Sequence, residues 1–554
     1  PLIYPFIVNN PGEAAQAKRR IAAVTVGHMT PPLIEAGTSG ATAELEALFD
    51  EYAEAQTLDP KRARLIARAI VLRAEETGLD RESGVASTDP DVVLLGLDAW
   101  LCDVKEMRIR DGLHIFGQPP LSAAGFVMQP AELCARQNCA AAETAGLLAA
   151  LDGRFVAGGP AGAPSRGRLD VMPTGRNLYS TDPRAVPSRT AYEIGRRAAN
   201  EVAARYAQDH GDWPKTIVMD VWASATMRTG GEDLAQAMAH LGVRPLWDNA
   251  TARVTGFDIL PYASLDRPRV DVTLRMSGLF RDVFPAQIAL FDQAVQAVAL
   301  LDEEDAINPL AAARRAGDAA MRRLFGSAPS VYGIGLGRAI TADPMIARRT
   351  MGEAYLDAGS HAYGGAGAEA TVSGEAFSHR VAGADAFVHG QDMDDLDVLD
   401  AAATVETEGG FAAAAESLGK TPALYHLEAG RSDALKVRTL AEEVARVVRG
   451  RAANPAWIAG QMRHGHRGAA EIAETVDNLY AMAVLSDAAG SRQFDLLFDA
   501  TCGTPAVRDF LLAANRDAAR AIAERFRDAA TRGFWTSRRN SDAACLADML
   551  AAAA

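Results

Sequence analysis

The chain has 554 residues, about half of them apolar, which is enough for several sizeable cores and suggests three or four domains. Its net charge of −15 argues against a nucleic-acid partner, because phosphate binding needs a dominant basic surface and the basic runs amount to Lys18, Arg19 and Arg20. Five scattered cysteines (Cys102, Cys134, Cys139, Cys502 and Cys545) form no CxxC pair, which excludes a disulfide scaffold or zinc ribbon and fits a reducing cytoplasm.

No apolar run approaches the roughly 20 residues that span a bilayer. The start, PLIYPFIVNN, lacks a basic n-region and an initiator Met, so it reads as an interior cut. PGEAAQAKRR opens a helix whose polar residues, with Asn9 before them, are either a solvated face or weak site candidates in Asn9, Glu13, Lys18 and Arg20. Apolar residues at three- and four-residue spacing predict helices from Thr38 to Thr77 and a second helical pair from Asp91 to Met107. His114 follows in GLHIFGQPP, where a helix yields to a loop, and reads as a hydrogen-bonded structural residue or a ligand. The Gly, Ala and Pro of Gly153 to Ser165 mark a linker. The expected division is a helical domain over 1–152, a linker over 153–172, an α/β domain over 173–330 and a mostly helical domain over 331–554. The fold class is thus mixed α/β, predominantly helical and multi-domain, with at least one βα crossover unit mid-chain. Past the linker, PTGRNLYSTDPRAVPSRTAYEIG is turn-rich and offers Arg176, Asn177 and Tyr179 to a polar ligand, with Asp182 and Arg184 as loop ties.

The chain is organised around Lys215 to Pro285. A β-branched run, Thr216 to Val218 and then Val221, gives way to a loop with Arg228, Gly230 and Gly231, and a helix starts at Glu232 and Asp233. Free N–H groups at that helix start predict a carboxylate or phosphate site, unless the turn is an ordinary βα connection. Further on, Arg267, Arg269 and Arg275 share odd parity, which places them on one face of an extended chain together with Asp271 and Thr273. That face is either a buried ion-pair lattice or a cleft that reads carboxylates through guanidinium forks.

Downstream, Gly333, Gly335 and Gly337 lack the strand and the spacing of a dinucleotide site. HGQDMDDLDVLD crowds Asp392, Asp394, Asp395, Asp397 and Asp400 beside His389. It lacks the Gly and Glu of an EF-hand, so these groups either hold a cation or take protons, or they cap a helix and pair with arginines such as Arg438. AAESLGKT, Ala414 to Thr421, satisfies a loose P-loop pattern in the wrong setting, with a helical lead-in and Pro422 directly after. His464, Gly465 and His466 form a turn before the helix that carries Glu471.

Three long phrases, RTGGEDLAQAMAHLGVRPLWD, RPRVDVTLRMSGLFRDVFP and ANPAWIAGQMRHGHRGAAEIAETVDNLY, resemble the large subunit of aerobic cobaltochelatase, the CobN family, which is related to the large porphyrin-binding subunit of magnesium chelatase. The likeness runs from YPFIVNNPGEAAQAKRR to RGFWTSRRNS and corresponds to the C-terminal half of that family. Members carry a His/Glu-bearing HGTxE-like segment just upstream, so chemistry that depends on it is expected to lie elsewhere. The resemblance implies a ligase-type metal chelatase, the C-terminal fragment of a tetrapyrrole-binding subunit that inserts Co2+ into hydrogenobyrinic acid a,c-diamide in cobalamin biosynthesis. ATP would be hydrolysed by AAA+ partner subunits, and the isolated fragment would be inactive without its N-terminal half. The alternatives are Mg2+ insertion into protoporphyrin IX and a non-catalytic scaffold for the ATPases. The family also shows a GLHxFG phrase at His114, a Tyr-Gly pair at Tyr363 and Gly364, a similar Asp-rich phrase with Asn at Gly390, and the pair His464 and Gly465, whereas His466 stands where an aromatic residue is usual. On this reading Arg176, Arg228, Arg267, Arg269 and Arg275 orient peripheral carboxylates of the ring, and His389, Asp392 and His464 serve as proton acceptors or metal relays.

Overall fold

A computed structural model describes residues 2–554 other than 19, 86, 88, 120–129, 319–320 and 366–369, with the backbone alone for residues 13, 15, 16 and 130–134. Near the N-terminus, strands β1 (Leu2–Ile7), β2 (Ala23–His28), β3 (Gly158–Pro160) and β4 (Asn177–Tyr179) form a small sheet in the order β1-β2-β4-β3. The expected linker thus contributes a strand.

The core is an eight-stranded sheet. Its strands are β5 (Thr216–Val221), β6 (Asp271–Met276), β7 (Leu324–Gly326), β8 (His361–Ala362), β9 (Thr371–Val372), β10 (Ala386–Gln391), β11 (Ala423–Glu428) and β12 (Lys436–Thr439), in the order β9-β8-β7-β6-β5-β10-β11-β12. The inner five, β7 to β11 across the sheet, pair in parallel, and the edge strands β8, β9 and β12 are antiparallel. The β-branched run at Thr216 forms the central strand as predicted. Because β10 to β12 complete the sheet begun by β5 to β7, it draws strands from both sides of residue 330.

Strand alternation splits the core into two layers. Ile217, Met219, Val272 and Leu274 pack against helices Arg189–His210 and Pro285–Ala299, whereas Val218, Phe325 and Phe387 pack against helices Arg348–Ala358, Ala402–Ser417 and Gly465–Leu485. Ser188 caps the first of these helices by accepting from the Ala191 N–H. The helical pair expected at Asp91 to Met107 is one helix, Pro90–Lys105, capped by Asp89. Its buried Leu94, Leu97, Trp100, Leu101 and Val104 keep one stripe throughout, so nothing divides it. Among the described residues no helix is long and apolar enough to cross a membrane.

From β5 the chain moves outward to β6 and β7, then returns to the other side of β5 as β10. The loops at the carboxyl ends of β5 and β10 therefore part company, and such a switch point is where open α/β sheets keep their crevice.

Candidate functional site

At that crevice the register lines up a row of buried polar groups. Arg275 on β6 lies opposite Asp220 on β5, and His389 on β10 opposite His426 on β11, all in apolar strands. Between β5 and β10, Nδ1 of His389 lies 2.9 and 3.0 Å from the two oxygens of Asp220. His426 is held by Glu408 of helix Ala402–Ser417, at 3.1 and 3.3 Å from its Nδ1, and by Oε1 of Gln391, at 3.0 Å from its Nε2. The two imidazoles are 5.4 Å apart, and Trp222 meets His389 edge-on at 5.6 Å. Burial alone lowers the pKa of His389, but the charges of Asp220 and Glu408 outweigh it and raise the value to about 9. His389, Glu408 and His426 bring their ligating atoms within 4.8 Å of one another. The Arg275 guanidinium lies over the ring of buried Tyr355, 5.4 Å from its centre, and burial raises the Tyr355 phenol to about 12.

The Asp-rich segment packs over this row. Arg228 forks onto both oxygens of Asp392 at 2.8 Å and reaches the Asn9 carbonyl at 2.9 Å. Arg166 donates to the carbonyls of Asp392 and Ala429 and to Glu232, and Asn9 donates to Asp395. Asp394 pairs with Arg108, Asp397 with Arg451, and Asp400 with Arg110. Arg438, the partner expected from sequence, instead joins Glu428 and Asp103 at 2.6 and 2.7 Å, because β12 carries it to the outer side of β11. Burial would raise the Asp392 carboxyl, but Arg228 holds it below its usual range. Lacking such a fork, Glu232 and Asp233 are pushed up to about 7 by burial.

Two cavities meet at Trp222. A small pocket of about 70 Å3 is lined by Asp220, Arg228, Asp233, His389, Asp392 and Trp222. An open hollow of about 780 Å3 lies over the carboxyl ends of β5 and β6, lined by Trp222, Tyr4, Phe6, Arg20, Leu279 and Tyr332 among others. That volume is in the range of roughly 300–1,000 Å3 typical of ligand sites, and the lining is largely apolar and aromatic, as a flat conjugated ligand requires.

The structure therefore brings His389, Asp392 and Arg228 into one pocket and Arg275 into the adjoining row. The other sequence candidates lie elsewhere. Arg267 and Arg269 precede β6, at the far end of the sheet. Arg267 donates to the carbonyls of Ala239, His240 and Pro268, and Arg269 to those of Leu241, Gly242 and Leu260 and to Glu303. The alternation that was to unite them with Arg275 starts only at Asp271, which pairs with Arg323 and Arg380. Arg176 ties its own loop through the carbonyls of Pro173 and Asp170. His464 accepts from the Leu113 N–H at 2.9 Å and lines a separate cavity with His114, and burial and then Arg463 lower its pKa. His114 bonds Glu143 at 2.9 Å and stacks on His28.

The glycine turn also differs from expectation. Helix Ala223–Thr229 intervenes and carries Arg228, and Thr229 Oγ1 accepts from the N–H groups of Gly231 and Glu232, so the start of the next helix is capped from within. AAESLGKT runs out of helix Ala402–Ser417 toward β11, the reverse of a P-loop's strand-to-helix order. Asp220, Glu408 and His426 were missed. A single polar residue inside the apolar runs IVMDV and ALYHL was the available signal for two of them; Glu408 had none.

The sequence profile of the family described as CobN/Magnesium Chelatase matches residues 1–128 and 126–542. The aerobic cobaltochelatase subunit CobN of a Sinorhizobium species is 40% identical over 98% of this chain and 52% of its own length, and that of Pseudomonas aeruginosa 41% identical over 97% and 52%. The H-type subunit of magnesium chelatase from Rhodobacter capsulatus is 30% identical over 100% of this chain and 46% of its own. The solved catalytic subunit of cobaltochelatase from Mycobacterium tuberculosis superposes with a TM-score of 0.93 at 34% identity, covering 100% of this chain and 55% of that one. The chain spans about half the length of the curated relatives it matches.

Proposed function

The chain belongs to the CobN/Magnesium Chelatase family, and from that premise we propose that it is the C-terminal, ring-holding half of the tetrapyrrole-binding subunit of an ATP-dependent cobaltochelatase, inserting Co2+ into hydrogenobyrinic acid a,c-diamide. The observation that carries this reading is the 780 Å3 hollow separated by Trp222 from a buried row of imidazole and carboxylate groups. A macrocycle seated in the hollow stacks on the aromatic walls, with Arg20 at the rim for a peripheral carboxylate or amide. Insertion removes two protons from ring nitrogens, so acceptors must stand beside the seat. The pairs Asp220–His389 and Glu408–His426 are those acceptors once an incoming cation has displaced the proton that His389 otherwise carries. Arg228 and Asp392 brace the pocket wall, and Arg275 lies opposite Asp220 on the next strand with its guanidinium over Tyr355. ATP is hydrolysed on partner AAA+ subunits in the cytoplasm, with the subunit's N-terminal half completing the site.

Reconstitution tests this. With N-terminal half, ATPase partners, ATP, Co2+ and corrin substrate present, the chain is expected to support cobalt insertion, and with the N-terminal half omitted turnover should vanish. Turnover without that half would contradict the assignment. A chain that co-elutes with the ATPases yet gives no response to the ring would be a docking scaffold instead.

A further inference from the structure

The cluster behind Trp222 carries a second reading, about which metal the chain prefers. The Gln391 amide nitrogen donates to the Met393 carbonyl at 3.0 Å, which turns its Oε1 toward Nε2 of His426. Nε2 must therefore bear the hydrogen, and in the neutral ring Nδ1 presents a lone pair to a Glu408 oxygen 3.1 Å away. Two acceptors facing each other at that distance require a positive centre between them, either a proton or a cation. Adjacent donors on a tetrahedral ion with bonds of about 2.0–2.1 Å are themselves about 3.3 Å apart. Across the gap, Asp220 engages Nδ1 of His389 and leaves Nε2 as that ring's ligating atom, the carboxylate–histidine arrangement that orients metal-bound imidazoles.

We propose that His389, Glu408 and His426 form a buried cation site that accepts borderline divalent ions such as Co2+ and rejects Mg2+, and that delivers the ion to the ring. The delivery step rests on the ring-binding reading above; the cation site does not. Two imidazoles and one carboxylate suit cobalt, nickel or zinc, whereas Mg2+ demands oxygen donors and gives up its water reluctantly. Delivery balances without any redox change. Bonds from the ion to the two imidazoles and Glu408 break as bonds to the ring nitrogens form, and the two ring N–H protons move to the two imidazole nitrogens left free, so a dication is exchanged for two protons.

The test is a titration of the metal-free full chain with Co2+, followed by visible ligand-field absorption. One ion per chain is expected, undisturbed by about a thousandfold excess of Mg2+, and X-ray absorption of the loaded protein should count two imidazoles. His426→Asn should weaken binding at least about a hundredfold. Gln391→Leu, which leaves all three donors in place, should weaken it roughly tenfold. Displacement by Mg2+, fewer than two imidazoles, or unchanged affinity in a folded His426→Asn protein would overturn the proposal. Ring binding is read separately by tryptophan emission. A chain that binds the ring but shows no such Co2+ site sinks this inference alone, and one that binds Co2+ here without responding to the ring sinks the delivery step together with the ring-holding reading.

Discussion

Replacing Asp220 with Asn keeps the shape of the side chain and its place opposite Arg275 but removes the charge beside His389. In the wild type, burial disfavours the imidazolium, yet Asp220 and Glu408 raise its pKa from the ordinary 6.5 to about 9. At about 1.4 kcal/mol per pH unit this difference is worth roughly 3 kcal/mol. Since the folded pKa lies above the unfolded one, the stabilisation is fully present below the unfolded value of about 6.5 and is lost as pH rises toward 9. The variant lacks most of it at every pH. Urea unfolding of both proteins at about pH 6 and about pH 9.5, with histidine NMR to follow the ring, measures the effect. Subtracting one protein from the other cancels the groups they share. The gap in unfolding free energy should be about 3 kcal/mol wider at the lower pH. An equal gap at both would show that Asp220 does not hold the proton on His389, and the electrostatic account of the row would fail.

Arg228→Met strips the fork from Asp392 and leaves the carboxylates of Asp392 and Asp395 buried together; unfolding free energy should fall by roughly 3–5 kcal/mol, and a loss under about 1 would mean the pair is slack. Asp233, pushed by burial to about 7, lowers stability as pH rises from about 4 to 7, because the unfolded chain gives up that proton first. Asp233→Asn should flatten this slope and gain up to roughly 4 kcal/mol at neutral pH, seen as a higher melting temperature at pH 8 than the wild type and a smaller difference at pH 5. Lys420→Ala should leave ATP-dependent insertion by the reconstituted complex unchanged; a fall of more than about tenfold would reinstate AAESLGKT as a nucleotide site.

The local structure was legible where the cause is local. Thr216 to Val221 reads as a strand because β-branched residues fit a pleated, buried surface, and the three- and four-residue apolar spacing from Thr38 to Thr77 reads as helix, which the chain forms as Ala41–Leu58 and Pro60–Thr77. Parity worked inside β6, where Asp271, Thr273 and Arg275 do share a face, but it could not tell that Arg267 and Arg269 lie before the strand begins. The site itself depends on neighbours that alternation cannot name. His389 meets Asp220 across 169 residues, and Asp394 and Asp400 are neutralised by Arg108 and Arg110 across 286 and 290. The carboxylates were visible in HGQDMDDLDVLD. Their partners, and the placement of β10 beside β5, follow from the order of a parallel sheet. His464 shows the opposite failure, since a His-Gly turn draws attention to a residue that caps a backbone N–H in another cavity.

The claim on which the account turns is that the hollow beside Trp222 receives the macrocycle. Titrating the chain with hydrogenobyrinic acid a,c-diamide while following tryptophan emission tests it directly, with Trp222→Phe as the control. The account predicts saturable quenching at one ring per chain and loss of most of that signal in the variant. Quenching that survives undiminished without Trp222, or no saturable response in a folded wild-type chain, would place the ring elsewhere.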